Sequence, residues 1–329
     1  MSKRNLWLDL FKLFLSFLVI CIHFIGNTYW HYPIYRLAVP TFFMISGYFL
    51  YSKDENKRID KAKQFIKRTF KYLLIGFGIY IVYDFIMCYI DGKGVGYYFT
   101  TLFYQDFLFE FFFLNRPITY SGYQLWFLIA LLTLSLIHFS VLKFKKEKWY
   151  YLAIPICLVI YLFFSGYMHW FQETDMPIRY TRNAWFMGLP LFSIGYITAQ
   201  YDFHKKAWYK YLYLGLGIFF FFFQTIERYL VGMEMYISTV LSATFLLQFF
   251  ISLKPVKANW FYKWFGKSMY FYIYIFHVAV GITLGRIFDY SNLYVKAIWT
   301  FIICVVLYEC CYFIYQLIMQ KKRSIKTLN

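Results

Sequence analysis

The sequence has little acidic charge and lacks the short motifs that mark many soluble enzymes. Asp and Glu make up 16 of its 329 residues, against 34 Lys and Arg. It contains no glycine-rich phosphate loop, no HExxH and no GxSxG, so it carries none of the usual signatures of a phosphate-binding loop, a zinc protease or an α/β-hydrolase. It also has no internal repeat, which argues against an inverted-repeat transporter.

Cysteine is present but not in a pattern that binds metal or builds a disulfide framework. No pair has the CxxC spacing, and every cysteine lies within an apolar run. We therefore expect buried free thiols and no metal site. The positions are Cys21, Cys88, Cys157, Cys304, Cys310 and Cys311.

What the chain has in abundance is apolar and aromatic residues. It is 61% hydrophobic and 26% aromatic, with a mean hydropathy of +0.50. This composition excludes a soluble domain and predicts an all-α, polytopic integral membrane protein. The net charge of +18 does not indicate nucleic-acid binding, because the basic residues fall in short runs between apolar segments.

Ten apolar segments are long enough to cross a bilayer, and the basic runs between them alternate in a regular way. The segments have the approximate limits 6–28, 34–52, 70–90, 123–142, 149–168, 183–200, 208–226, 235–253, 268–288 and 294–319. About 25 of the 34 Lys and Arg fall in 3–4, 53–71, 143–148, 205–210, 254–267 and 321–326. The positive-inside rule then predicts that both termini are cytoplasmic. The first segment is too long for a signal peptide and lacks a small-residue cleavage site.

Two predicted outer connectors are unusual in composition. Residues 91–124 are long and aromatic, and residues 169–183 are polar and charged. They either line an outward-facing substrate vestibule or form ordinary solvated loops.

The first apolar segment carries ionisable residues at membrane depth. Lys12 and His23 are eleven residues apart, which places them on roughly one helix face, about 16 Å apart along the axis. Asp9 lies one turn before Lys12 and is expected to pair with it. Ionisable groups inside a membrane are costly and mark functional sites, and a histidine accepts and returns a proton at neutral pH.

Five motifs in order resemble the acyltransferase-3 family of integral membrane acyltransferases. The family's first helix carries Arg-x10-His, and this chain has Lys12-x10-His23. Its second-span motif is similar to the residues from Arg36, RLAVPTFFMISGYFL. The other three matches are YQLWFLIALL at 123–132, YTRNAWFMGLPLFSIG at 180–195 and GKSMYFYIYIFH at 266–277. The segment 180–195 is also similar to the membrane domain of vancomycin-resistance serine racemases.

The resemblance implies acyl transfer, usually of acetyl from acetyl-CoA, to a glycan or related envelope molecule. It makes His23 the catalytic candidate, as base or acyl carrier, with Arg36 and Lys12 as cationic catalytic partners. Lys12 departs from the family's arginine and lacks its bidentate fork, so a structural pair with Asp9 is the alternative. A packing hydrogen bond is the alternative for His23, and snorkelling to the interface is the alternative for Arg36.

The substrate-binding candidates are distributed along the chain. His277 matches the family's ninth-span histidine, and Arg182 and Asn183 begin the sixth segment at the predicted outer face. Trp126 is suited to stack on a sugar or thioester, and Asp9 completes the set through Lys12. Interface anchoring is the alternative for Trp126, Arg182 and Asn183.

We therefore expect a single membrane acyltransferase domain over residues 1–329, in the bacterial cytoplasmic membrane. It would use acetyl-CoA as donor substrate, a surface or lipid-linked glycan as acceptor, and no cofactor, metal or nucleic acid. Its partners are the lipid bilayer and both substrates, and homo-oligomerisation is left open. The competing hypotheses are a transporter of a small solute such as an amino acid, and a structural partner in a polysaccharide synthesis complex.

Overall fold

The computed structural model describes an all-helical chain. It covers residues 5–26, 32–94, 96–98, 107–165, 167, 178–201, 207–231, 235–254, 269–288 and 292–326, and no strand occurs in these ranges. The longer helices are α1 Leu6–Phe24, α3 Ala38–Leu50, α4 Glu55–Ile90, α6 Trp126–Lys143, α7 Trp149–Ser165, α9 Leu189–Gln200, α10 Tyr209–Val231, α11 Ile237–Ser252, α12 Met269–Ile287 and α13 Leu293–Lys326. Three short helices join them: α2 Tyr32–Arg36, α5 Phe107–Phe112 and α8 Ile178–Thr181.

Each of the ten predicted segments overlaps one of these longer helices, and six stretches within the described ranges are long and apolar enough to cross a membrane. These are Leu6–Phe24, Glu55–Ile90, Tyr123–Lys143, Tyr209–Leu230, Met269–Ile287 and Leu293–Gln320. Trp149–Phe164 and Ile237–Ser252 are shorter apolar helices. The expectation of ten crossings with cytoplasmic termini stays a prediction.

Segments 34–52 and 183–200 depart from a single regular α-helix. Segment 34–52 turns at Leu37, between α2 and α3. Pro40 lies in the first turn of α3, where a backbone N–H has no partner within the helix, so the N–H that proline lacks costs no hydrogen bond. Segment 183–200 opens with a π-helical turn over Ala184–Gly188 before α9 begins. At ~1.5 Å per residue, the 13 residues of α3 and 12 of α9 span about 20 Å or less, short of a ~30 Å hydrocarbon core.

The two short helices α3 and α9 pack backbone to backbone. A side chain added at Gly47 would collide with the backbone of Phe192 and Tyr196, and one added at Gly195 would collide with the carbonyl of Met44. Small residues allow this approach, which gives membrane helices close van der Waals contact.

Helices α1, α4 and α12 run in the same direction and carry most of the residues discussed below. Tyr80 in α4 donates a hydrogen bond to the Ile275 carbonyl of α12 at 2.7 Å, and the Phe24 ring of α1 lies against Gly281. At the far end, the Arg286 guanidinium bonds both carboxylate oxygens of Asp91, at 2.6 and 3.1 Å, and holds the pKa of that carboxyl below its usual value. This contact ties the end of α4 to α12.

The first helix is shorter than the sequence suggested. It ends at Phe24, and Gly26 has φ +73°, in the left-handed region that glycine adopts readily. His23 therefore lies in the last turn of α1.

The cysteines are unpaired thiols, but not all of them are buried as expected. Cys21 and Cys304 are buried, and Cys88 and Cys157 are partly so. Cys310 and Cys311 are exposed, on a stretch of α13 whose residues 310–315 are all exposed.

Candidate functional site

A cavity of about 650 Å³ lies between α1, α3, α4, α6 and α12. Three cationic residues line it: Lys12 from α1 and Lys61 and Arg68 from α4. Lys61 and Arg68 are exposed, whereas Lys12 is only 7% exposed. We call the end of the bundle that holds Lys61 and Arg68 the basic end.

Lys12 presents a buried positive charge to this cavity. Its Nζ lies 3.3 Å from Asp9 Oδ1, so the ion pair predicted from their spacing is present. The same ammonium group lies 4.7 Å from the Phe49 ring centroid and 5.2 Å from that of Tyr270, within the range of cation–π attraction. A buried cation held by a carboxylate and two rings is a suitable contact for an anionic ligand.

One face of α4 forms a wall of the cavity. Lys61, Gln64, Phe65, Arg68, Thr69 and Tyr72 line it and recur at the i, i+3, i+4 spacing of a single helix face. Asp54 begins the helix by accepting the Lys57 N–H at 3.3 Å, and this bond lowers the pKa of the Asp54 carboxyl. Lys63 and Lys67 belong to the same basic run but do not line the cavity.

An aromatic pair closes the end of the cavity that lies away from the basic end of the bundle. Phe127 and Tyr274 both line it, and their ring centroids are 5.7 Å apart in an edge-on arrangement. The Tyr274 hydroxyl donates a hydrogen bond to the Gln124 carbonyl, which holds the ring in place. The Tyr274 ring is also 6.1 Å from that of His277, which does not line the cavity, so Tyr274 stands between the cavity and this histidine.

Two histidines lie side by side beyond that wall. The ring centroids of His23 and His277 are 5.1 Å apart, and Tyr123 meets the His23 ring edge-on at 5.1 Å. His277 is fully buried, whereas His23 keeps part of its surface accessible. The motifs of the first and ninth predicted spans, far apart in sequence, therefore contribute to one site.

Two arginines lie near His23 of this pair. The charges of Arg182 and Arg36 both reach the His23 ring electrostatically. The Arg182 guanidinium lies 5.9 Å from the Trp126 ring centroid, and Arg36 donates a hydrogen bond to the Tyr32 hydroxyl. The arrangement combines an imidazole pair, positive charge and an aromatic platform.

Asn183 positions the chain around Arg182. Its side-chain oxygen accepts the N–H groups of Trp185 and Phe186, both at 3.0 Å, and its amide donates to the Tyr180 carbonyl at 2.8 Å. It thereby caps the π-helical turn, and its role as an acceptor contact stays a prediction.

Part of the loop 91–124 braces the same turn. Asn115 Oδ1 accepts the Ala184 N–H at 2.7 Å, and Asp84 in α4 accepts the N–H groups of Tyr120 and Ser121 at 2.8 and 3.0 Å. The described parts of the two predicted outer connectors therefore meet near Arg182. Residues 169–177 lie outside the described part of the chain.

The sequence-predicted residues thus separate into two groups. His23, His277, Arg36, Arg182 and Trp126 belong to the histidine site. Lys12 lines the cavity about 16 Å away along α1, and Asp9 is its ion-pair partner. The motif residues Gly266 and Ser268 lie outside the described ranges.

Sequence reasoning missed four residues that the structure places here. Lys61 and Arg68 were hidden in a uniform basic run, although their seven-residue spacing is that of one helix face. Tyr274 lies in the ninth-span match 266–277, three residues before His277, and Tyr123 immediately precedes QLWF. The motif itself was a usable signal for Tyr274.

Several apolar helices of spanning length indicate a multi-pass membrane protein. A protein-family model described as an acyltransferase domain matches residues 5–316, nearly the whole chain, so the chain belongs to the acyltransferase-3 family. It is a membrane acyltransferase that acts between an acyl donor and an acceptor in association with a lipid bilayer. No curated protein and no solved structure matches the chain.

Proposed function

We propose that this protein is a membrane O-acetyltransferase of the bacterial cytoplasmic membrane. It moves acetyl from cytoplasmic acetyl-CoA to a hydroxyl of a cell-surface polysaccharide or related envelope glycan. The observation that carries the proposal is the arrangement of two adjoining sites. One is the cavity at the basic end of the bundle, and the other is the histidine pair beyond the aromatic wall of that cavity.

The basic cavity suits a CoA thioester. CoA carries several phosphate charges on a long, thin pantetheine arm, and the cavity has exposed cations at its mouth and an aromatic lining within. Lys61 and Arg68 would hold phosphates, and Lys12 would hold an anionic or polar group deeper in. Its 650 Å³ is within the usual range of small-molecule sites.

The histidine site suits a hydroxyl acceptor. Arg182 and Trp126 offer a charged fork and an aromatic face, which glycans bind through hydroxyls, carboxylates and ring stacking. In this proposal the acceptor enters from the outer face, between segments 91–124 and 169–183.

The proposed chemistry centres on His23. In direct transfer, His23 removes the proton of the acceptor hydroxyl while its oxygen attacks the thioester carbon, the carbon–sulfur bond breaks, and the CoA thiolate takes the proton. In a relay, the His23 imidazole carries the acyl group first. Arg36 stabilises the charge that develops on the thioester oxygen. Either route requires the Tyr274 ring to move, since it separates the cavity from His277.

Substitution of His23 tests the proposal. In membranes supplied with labelled acetyl-CoA, His23→Ala should lower transfer of label to the envelope glycan fraction at least about 100-fold, the usual contribution of a general base. Cys21→Ala is the matched control, because Cys21 is also in α1 and is buried. Retention of more than about a tenth of wild-type activity would argue against His23 as base or acyl carrier.

A further inference from the structure

His277 has a fixed tautomer. Its Nδ1 lies 2.8 Å from the Tyr274 carbonyl oxygen and 3.1 Å from the Ile273 carbonyl oxygen. Carbonyl oxygens only accept hydrogen bonds, so Nδ1 must carry the proton of the neutral ring. Its Nε2 is therefore an acceptor with a free lone pair.

That lone pair is buried without a protein partner. His277 is fully buried, and its Nε2 has no hydrogen-bond partner among the described residues. An unmade hydrogen bond of a buried polar atom costs free energy, which a bound hydroxyl group would recover.

The neighbouring His23 ring is held differently. Within the described residues, no hydrogen bond to the His23 ring occurs, and its aromatic contacts are with the rings of His277 and Tyr123. At 5.1 Å between centroids, no side chain fits between the two imidazoles. One ring is thus oriented as a proton acceptor, and the other is partly accessible.

We propose that the two histidines divide the reaction, with His23 as the acyl carrier and His277 as the catalytic base. This inference rests on the proposed function and selects the relay between its two routes. A separate base is needed in a relay because an acylated imidazole is a much weaker base than the free ring. His277 Nε2 is the acceptor that the structure places beside it.

The steps balance as follows. A His23 nitrogen attacks the thioester carbon, the carbon–sulfur bond breaks, and the CoA thiolate takes the remaining imidazole proton to leave as CoA thiol. The acceptor hydroxyl then gives its proton to His277 Nε2 as its oxygen bonds the acyl carbon. The bond from carbon to His23 breaks, and His277 returns the proton to the departing His23 nitrogen.

The test separates acylation from deacylation in the purified full-length protein. Acetyl-CoA is mixed with protein, and CoA release is followed with water or glycerol as the hydroxyl acceptor. A second series uses hydroxylamine, which attacks an acyl-imidazole without a base. His277→Gln keeps a side-chain N–H donor for the carbonyls of its own helix but removes the basic nitrogen.

We expect wild-type protein to release about one equivalent of CoA in a burst and then turn over slowly. His277→Gln should keep the burst and the hydroxylamine rate within about threefold, and lose about 100-fold or more in turnover with water or glycerol. His23→Gln should lose the burst. Peptide mapping of labelled wild-type protein should place the acetyl group on His23.

Other outcomes overturn the inference in distinguishable ways. Glycerol turnover that is unchanged in His277→Gln would show that His277 is not the base. Loss of the burst in that variant, at an unchanged melting temperature, would assign His277 to the reaction with the acyl donor instead. Turnover by wild type without a burst or a labelled histidine indicates direct transfer, which leaves the proposed function intact. No CoA release from wild type with any acceptor removes the proposed function as well. If His277→Gln fails to fold, the wild-type burst and label map decide the relay.

Discussion

The basic run at the start of α4 allows a controlled test of donor binding. Lys61 and Arg68 line the cavity, whereas Lys63 and Lys67 are also exposed on the same helix and do not line it. At about 100° per residue, Lys63 and Lys67 point roughly away from the face that carries the other two. The double variants Lys61→Ala/Arg68→Ala and Lys63→Ala/Lys67→Ala remove the same net charge.

The expected loss of CoA affinity follows from the exposure of the Lys61 and Arg68 side chains. Exposed ion pairs contribute about 0.2–1 kcal/mol each, so losing two phosphate contacts should weaken binding by about 0.4–2 kcal/mol. At 1.4 kcal/mol per factor of ten, the Kd for CoA should rise about 2- to 30-fold in Lys61→Ala/Arg68→Ala. The control pair contributes only long-range attraction, and its Kd should stay within about twofold of wild type.

The assay is equilibrium binding of labelled CoA to purified protein in lipid nanodiscs. Measurements at about 0.1 M and 1 M salt compare screening lengths of about 10 Å and 3 Å, and the difference between the two variants should shrink at high salt. Equal Kd values for the two double variants at low salt would refute the assignment of this cavity to the donor. An effect confined to the control pair would place the donor on the opposite face of α4.

Two further predictions concern the wall and the acceptor side. Tyr274→Leu shortens the residue that closes the cavity, so acetyl-CoA hydrolysis without acceptor should rise several-fold and butyryl-CoA should become a better donor. Tyr272→Leu, on the exposed face of α12, is the control. Identical donor preferences in the two variants would contradict the reasoning. Arg182→Ala removes a charged fork worth about 1.5–3 kcal/mol, so glycan transfer should fall about 10- to 150-fold while donor hydrolysis is spared. Loss of hydrolysis with an unchanged acceptor KM would place Arg182 on the donor side.

The sequence by itself determined the class of protein and the Asp9–Lys12 pair beside the cavity. Apolar segments and basic connectors predict a helical membrane protein because the bilayer interior admits few other spanning structures. The Asp9–Lys12 pair follows from helical spacing alone, since residues three apart are neighbours on any helix. The family resemblance, carried by Lys12, His23 and Arg36, is confirmed by the match over residues 5–316.

The tertiary structure decided which residues share a site. His23 and His277 are 254 positions apart, and no local periodicity relates two helices that pack through Phe24 and Gly281. The breaks at Leu37 and at Ala184–Gly188 were also invisible to hydropathy, because apolar residues continue through both.

The same limit applies to the basic run of α4. A positive-inside count treats Lys61, Lys63, Lys67 and Arg68 alike, since it depends on charge and not on direction. Only the packing of α4 against its neighbours turns Lys61 and Arg68 into the cavity and leaves the other two outside it. Charge and length are properties of the chain itself, whereas the direction of a side chain toward a partner helix exists only after the helices have packed.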